Sequence, residues 1–244
     1  MTNLAGQVAV VTGAAQGLGY AVAKAYAQIG MKVALIDVKA DTLQKVSHEI
    51  QSSGGECLVI PADLSDIYET QRAASEVLGE YGVPRVFVHN AAVLNPRPIL
   101  DVSIREWLLT VNVQTQAAFI FVKSFWQGMT DAGHGSIVFV SSQSGIKGFA
   151  DEVAYCTGKH GLEGMMKSLA MEGQPRNIAV NTITPGMYMH TPMSEQNYPD
   201  DLKSKWVDPM LLTPAFVQLA GMDASQTTGE RLDAWVMSEA IRNS

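Results

Sequence analysis

Tyr155 and Lys159 stand four residues apart in Tyr155-Cys156-Thr157-Gly158-Lys159, and on a helix that spacing sets a phenol and an ammonium on one face, a turn apart. A phenol ionises near pH ~10 when unperturbed, and a neighbouring cation favours the ionised form, so such a pair suits acid/base work. By spacing alone the two also fit an ordinary surface pair of little energetic consequence. A second constellation lies near the N-terminus, in Thr12-Gly13-Ala14-Ala15-Gln16-Gly17-Leu18-Gly19. It follows an apolar run and opens a helical pattern, so backbone N–H groups at a helix start can face a pyrophosphate, with glycines permitting the close approach. Asp37 follows about 20 residues later, where a carboxylate can accept both ribose hydroxyls of a dinucleotide and repel a 2′-phosphate. That predicts NAD rather than NADP as cofactor. A plain turn or N-cap carboxylate is the alternative reading of Asp37.

Placing these groups requires a particular scaffold. Short β-branched runs at Gln7–Thr12, Lys32–Asp37, Glu56–Pro61, Val86–Asn90, Gly135–Ser141, Ile178–Thr184 and Arg231–Ala234 read as seven strands. Between them, Gly19–Ile29, Asp41–Ser52, Ile67–Tyr81, Ile104–Thr130 and Val153–Glu172 carry apolar residues at helical spacing. Strand and helix in alternation predict an α/β fold: a doubly wound, seven-stranded parallel sheet of the Rossmann type with helices on both faces. The stretch from Gly186 to Pro214 is too rich in Met and aromatic residues for a spacer, and a substrate lid is expected at about residues 187–212 of one catalytic domain spanning 1–244.

Composition narrows the function classes. The 244 residues are 47% hydrophobic, which suits a single sizeable core. A formal net charge of -7, with no long Lys/Arg run, argues against nucleic acid as a partner. No apolar run approaches bilayer length and no signal-like start is present, so no membrane association and a cytoplasmic location are expected. The two cysteines, Cys57 and Cys156, read as buried thiols in a reducing compartment. No metal site is expected.

The glycine spacing, with three residues between Gly13 and Gly17 and one between Gly17 and Gly19, together with Tyr155-x-x-x-Lys159, resembles the short-chain dehydrogenase/reductase family. The resemblance spans essentially the whole chain and implies further residues. Ser142 falls at the separation from Tyr155 that the family uses for its catalytic serine, which would hold the substrate oxygen. Asn112 matches a helical asparagine held to bind a water that links the lysine to solvent. Thus Asn112, Ser142, Tyr155 and Lys159 are the implied catalytic set. For the cofactor, Gly13, Gln16, Gly17, Leu18 and Gly19 form the phosphate turn. Asp37 takes the ribose, Asp63 and Leu64 resemble an adenine-binding pair, and Asn90-Ala91 lies beneath the adenosine ribose. Pro185-Gly186 and Thr191 border the nicotinamide, with Tyr155 and Lys159 contributing again. Gln16 supports NAD, since relatives that take NADP often carry a basic residue there, and Lys39 is the counter-signal. Departures include His89 for a frequent asparagine, Ala92 for a glycine, and Arg231-Leu232-Asp233-Ala234-Trp235 where an Asp-Gly-Gly segment is common. His89 reads as a hydrogen-bonded structural histidine.

The resemblance implies an NAD(H)-dependent oxidoreductase interconverting a secondary alcohol and a ketone, working as a homodimer or homotetramer. The pocket is expected from Val93–Arg97, Gln143–Gly148 and the lid, beyond the carboxyl ends of the strands. Asn95, Gln143 and His190 are candidates for binding hydroxyls, and Met187, Tyr188, Met189, Met193 and Trp206 for an apolar wall. A small polar substrate, a polyol or sugar derivative, is the reading preferred over a 3-oxoacyl thioester or a non-catalytic dinucleotide-binding regulator.

Overall fold

The inner strands of the sheet pair with both faces buried, and the two edge strands are part-buried. The strands are β1 (Val8–Thr12), β2 (Lys32–Asp37), β3 (Glu56–Pro61), β4 (Val86–His89), β5 (Gly135–Val140), β6 (Ile178–Thr184) and β7 (Arg231–Asp233). In the computed structural model, which describes residues 3–244, they form one sheet in the order β3-β2-β1-β4-β5-β6-β7, parallel throughout. Helices α1 (Gly17–Gln28), α2 (Ala40–Ser52) and α3 (Ile67–Glu80) join the first strands. Successive residues of β1 alternate between two cores: Ala9 and Val11 face α1 and α2, whereas Val8 and Val10 face α3. The expected fold class is the observed one.

The order reverses between β1 and β4, and this switch point fixes where a site can form. Thr12 and His89, the last residues of those strands, are register partners. The Thr12 hydroxyl accepts from the amides of Asn90 (3.1 Å) and Ala91 (3.2 Å) and stands 3.0 Å from His89 Nδ1. His89 Nε2 lies 3.0 Å from the Val113 carbonyl, which can only accept. The imidazole is therefore the neutral Nε2–H form, donating to Val113 and accepting from Thr12. Burial, and secondarily the Lys159 charge, push its pKa down to about 3, so this structural histidine stays neutral. The β4 ladder ends at His89 rather than Asn90, whose amide turns to Thr12.

The single helix expected over Ile104–Thr130 is observed in three parts: α4 (Ile104–Val111), a π turn at Asn112–Gln116, and α5 (Ala117–Ala132). The wider turn is the conformation in which Val113 meets His89, and hydrophobic periodicity does not encode such an insertion. Two aromatic pairs, Phe87 with Phe121 and Phe125 at 5.3 and 5.6 Å, lock α5 to β4. Helix α6 (Val153–Gly173) lies on the same face. The 187–212 segment contains a short helix, α7 (Pro192–Asn197), and one bridge, Met189 with Val207. Two helices absent from the sequence reading, α8 (Thr213–Gly221) and α9 (Ala234–Arg242), close the opposite face, α8 against α1. Among the described residues no helix is long and apolar enough to cross a membrane.

Candidate active site

The glycine turn leaves β1 and enters α1 with Gly13 and Gly17 in the left-handed region, at φ +67 and +57. A Cβ on Gly13 would meet Asn90 Nδ2 at 2.8 Å, and one on Gly19 would collide with the Gly13 carbonyl. Asn90 secures the turn by donating to the Thr12 and Gly13 carbonyls, both at 3.2 Å. Gln16 occupies the N-cap of α1 without capping it; its Oε1 instead accepts from Lys39 Nζ at 2.7 Å. An uncapped helix start beside a glycine cradle fits the phosphates of a dinucleotide. Leu18 buries its side chain in the core, leaving its backbone for that role. Asp37 is buried, accepting from Ala15 N and Lys39 N, each at 3.0 Å, so its carboxylate is pinned to the glycine turn.

The other cofactor candidates line the same edge of the sheet. Asp63 closes a turn with Ser65, accepting from its amide at 2.9 Å and its hydroxyl at 2.7 Å, while Leu64 is buried. Ala91 is half-buried beside Asn90. Pro185 accepts from Trp235 N at 3.2 Å, and Gly186, at φ +78, sits against the Asp233 carboxylate where a side chain would not fit. Thr191 is buried as the N-cap of α7, accepting from Ser194 N at 3.1 Å, and its methyl lies over Gly17. Helix α7 thus starts directly above the glycine turn.

At the chemical end, the strand end of β5 and the face of α6 converge. Ser142 lies beside Tyr155, where it works to lower the phenol pKa, and its hydroxyl accepts from Ser144 N at 3.2 Å, which holds it at the start of the 143–145 turn. Lys159 Nζ lies 5.4 Å from the Tyr155 ring centroid and donates to the Val140 carbonyl at 2.7 Å. Burial lowers the Lys159 pKa to about 7, opposed by Glu163. Burial also raises the Tyr155 phenol, reinforced by Tyr198 and Glu152 and opposed by Ser142. In the chain alone the phenol is therefore a held acid, and a cationic nicotinamide ring would have to supply the opposing field. Asn112 begins the π turn, its carboxamide donating to the Ser65 carbonyl at 3.4 Å; among the described residues no hydrogen bond joins it to Lys159.

Beside Tyr155 opens a cavity lined by Asn95, Arg97, Glu106, Asp151 and Glu152. Arg97 Nε pairs with Glu106 at 3.1 Å, Asn95 Nδ2 donates to the same carboxylate at 3.2 Å, and Ser144 donates to Glu152 at 2.8 Å. Asn95 and Arg97 were expected in this wall; Glu106, Asp151 and Glu152 were not, because sequence gives no signal that the start of α4 and the loop before α6 meet here. Several residues of the 187–212 segment turn away from this cavity. Met189 packs on the core, and His190 stacks on Trp206 at 5.4 Å while its Nε2 bonds Glu195 at 2.7 Å. Tyr198, unmarked in the sequence, is the group of that segment whose field reaches Tyr155, and it packs edge-on against Tyr188 at 6.1 Å.

A family model described as short chain dehydrogenase matches residues 7–202, which carry the glycine turn, Ser142 and the Tyr155–Lys159 pair. The chain belongs to the short-chain dehydrogenase family. It is 34% identical over 183 residues to D-threitol dehydrogenase of Mycolicibacterium smegmatis, covering 75% of this chain and 70% of that one. It is 33% identical over 235 residues to 2,5-dichloro-2,5-cyclohexadiene-1,4-diol dehydrogenase of Sphingobium indicum, covering 93% and 94%. Among solved structures, a metagenomic short-chain oxidoreductase in complex with NADP superposes with a TM-score of 0.82 at 29% identity, covering 95% of this chain and 98% of that one. As a family member the chain is an oxidoreductase that works with a nicotinamide dinucleotide on a small molecule.

Proposed function

We propose that this short-chain dehydrogenase interconverts a secondary alcohol and a ketone on a small, polar, uncharged substrate such as a polyol or sugar derivative, using NAD(H). The observation that carries this reading is the placement of Ser142 beside Tyr155 at the rim of a cavity walled by three carboxylates and one guanidinium. Glu106, Asp151 and Glu152 against Arg97 leave the wall two charges negative, which repels an acidic substrate, whereas carboxylates accept readily from hydroxyls. The two diol- or polyol-acting relatives agree with that chemistry.

A bound nicotinamide supplies the hydride acceptor or donor. In the oxidative direction the ionised form of Tyr155 would receive the alcohol proton at Oη, while the Ser142 hydroxyl donates to the alcohol oxygen, stabilising the charge that develops there. Lys159 holds a positive charge beneath the phenol and lowers the cost of its ionised form. The glycine turn with Gln16, Leu18, Asn90, Ala91 and Thr191 would hold the pyrophosphate and adenosine ribose. Asp63 and Leu64 would hold the adenine, and Pro185-Gly186 the nicotinamide. The NAD preference rests on Asp37, whose buried carboxylate stands at the end of β2 with the nearby Lys39 ammonium tied up by Gln16. Exposed Ile104, Leu108 and Phe119 on α4 and α5 support a homo-oligomeric contact on that face.

The test is nicotinamide absorbance with NAD or NADP across polyols, sugar acids, simple secondary alcohols and 3-oxoacyl thioesters. Turnover of neutral polyols with NAD supports the reading. Preference for acids or thioesters, or for NADP, would overturn it.

A further inference from the structure

Behind Ser142 lies a buried carboxylate that the mechanism above does not use. Glu163 sits one turn beyond Lys159 on α6, its side chain 7% exposed, and accepts from three donors. These are the Ser141 hydroxyl at the end of β5, the Thr182 hydroxyl of β6 at 2.9 Å, and Arg231 Nε of β7 at 3.2 Å. The same guanidinium donates through Nη2 to the Ser142 carbonyl at 3.0 Å. The carboxylate also packs beneath Gly145, in the turn that Ser142 begins, where a Cβ would meet Glu163 Cγ at 3.2 Å. Three neighbouring strands and the helix bearing Tyr155 and Lys159 are thus tied to one charge.

A buried ion pair is an expensive way to fill a gap between strands, since apolar side chains of similar volume often do as well or better. We propose that Glu163 and Arg231 are positioning residues for the catalytic group: Glu163 keeps the buried Lys159 ammonium charged, and Arg231 fixes the Ser142 backbone while moderating that carboxylate. The inference rests on Ser142, Tyr155 and Lys159 being the reacting set. The groups facing Lys159 leave this task to Glu163. His89 on β4 is neutral, Tyr155 is a protonated phenol in the chain alone, and Arg231 on β7 lies beyond Glu163. Tyr155 itself is faced by Tyr198, Glu152 and Cys156.

The two substitutions have opposite signs, which separates them from general loosening. Glu163→Gln keeps the shape and removes the anion, so Lys159 gives up its proton at lower pH. Arg231→Met keeps the Ser141 and Thr182 hydroxyls on Glu163 and removes a competing cation, so Lys159 holds its proton to higher pH. Lysine Cε resonances in ¹³C-lysine-labelled protein read this directly, with Lys159 identified by its loss in Lys159→Met. The expected midpoint shift is down by about one pH unit in Glu163→Gln, with a rise in Arg231→Met. In turnover, Glu163→Gln moves the rising limb of alcohol oxidation to higher pH with little change in KM. Arg231→Met lowers kcat roughly tenfold by releasing Ser142. Unmoved midpoints, or shifts of the same sign in both folded variants, overturn the proposal, and a kcat loss without a shifted pH profile marks the cluster as structural. If the midpoints move as stated yet Tyr155→Phe retains full turnover, the link between Glu163 and Lys159 stands and the catalytic assignment falls.

Discussion

Under the proposed NAD preference, replacing Asp37 by asparagine should let the chain use both cofactors. Asp37 holds the Ala15 amide on Oδ2 and the Lys39 amide on Oδ1, each at 3.0 Å; asparagine keeps an oxygen for the Ala15 amide, so the anchor to the glycine turn stays while the Lys39 bond and the charge are lost. A 2′-phosphate carries about two negative charges, and each unit pair at about 4 Å is worth about 1 kcal/mol in water and about 4 kcal/mol nearer the protein interior. Asp37 is itself buried, but the phosphate would be solvated, which favours the lower end, about 2–3 kcal/mol of repulsion. Loss of a charged rather than neutral acceptor to the ribose hydroxyls costs NAD about another 1 kcal/mol. Together these come to about 3–4 kcal/mol, a change of roughly a few hundredfold in the NAD to NADP ratio of kcat/KM. The assay is initial-rate kinetics with both cofactors on the best polyol from the panel, with thermal unfolding to verify folding. A ratio that stays within about threefold of wild type in a folded variant would mean that Asp37 does not face the 2′ position, and the electrostatic reasoning fails.

Tyr155→Phe should leave cofactor affinity nearly unchanged, read by fluorescence titration, while kcat falls by at least about a hundredfold, because the ring remains and the transferable proton goes. Acid sensitivity should trace in part to His89. Its pKa is about 3 folded against about 6.5 unfolded, so the unfolded chain takes up a proton first and stability falls as pH drops from about 6.5 toward 3. Denaturant titrations over that range should show a shallower pH slope in His89→Asn, and an unchanged slope would refute the assignment. Gly158→Ala should cost about 1–3 kcal/mol of stability, because its Cβ would meet the buried Gln114 side chain at 2.8 Å. Adding Gln114→Ala should recover much of that loss in urea unfolding, and additive losses would count against the contact.

Sequence alone determined the architecture and the residues that name the family. The five inner strands read as apolar runs because parallel strands covered on both faces have no polar side to alternate with, whereas the edge strands β3 and β7 are only part-buried. The Tyr155–Lys159 spacing and the glycine turn are local in the chain, and both arrive on the elements expected of them. Tertiary structure decided what depends on contacts between distant segments. The π turn at Asn112 is coupled to a hydrogen bond with His89, which lies 24 residues back along the chain from its acceptor Val113, and helical periodicity is blind to it. The acidic wall joins the start of α4 to the loop before α6, and only the folded chain makes Glu106 and Glu152 neighbours of one cavity. Glu163 and Arg231, 68 residues apart, read in sequence as a helix carboxylate and a strand cation. The fold makes them a charge pair, the buried carboxylate standing one helical turn from Lys159 and the guanidinium holding the Ser142 carbonyl.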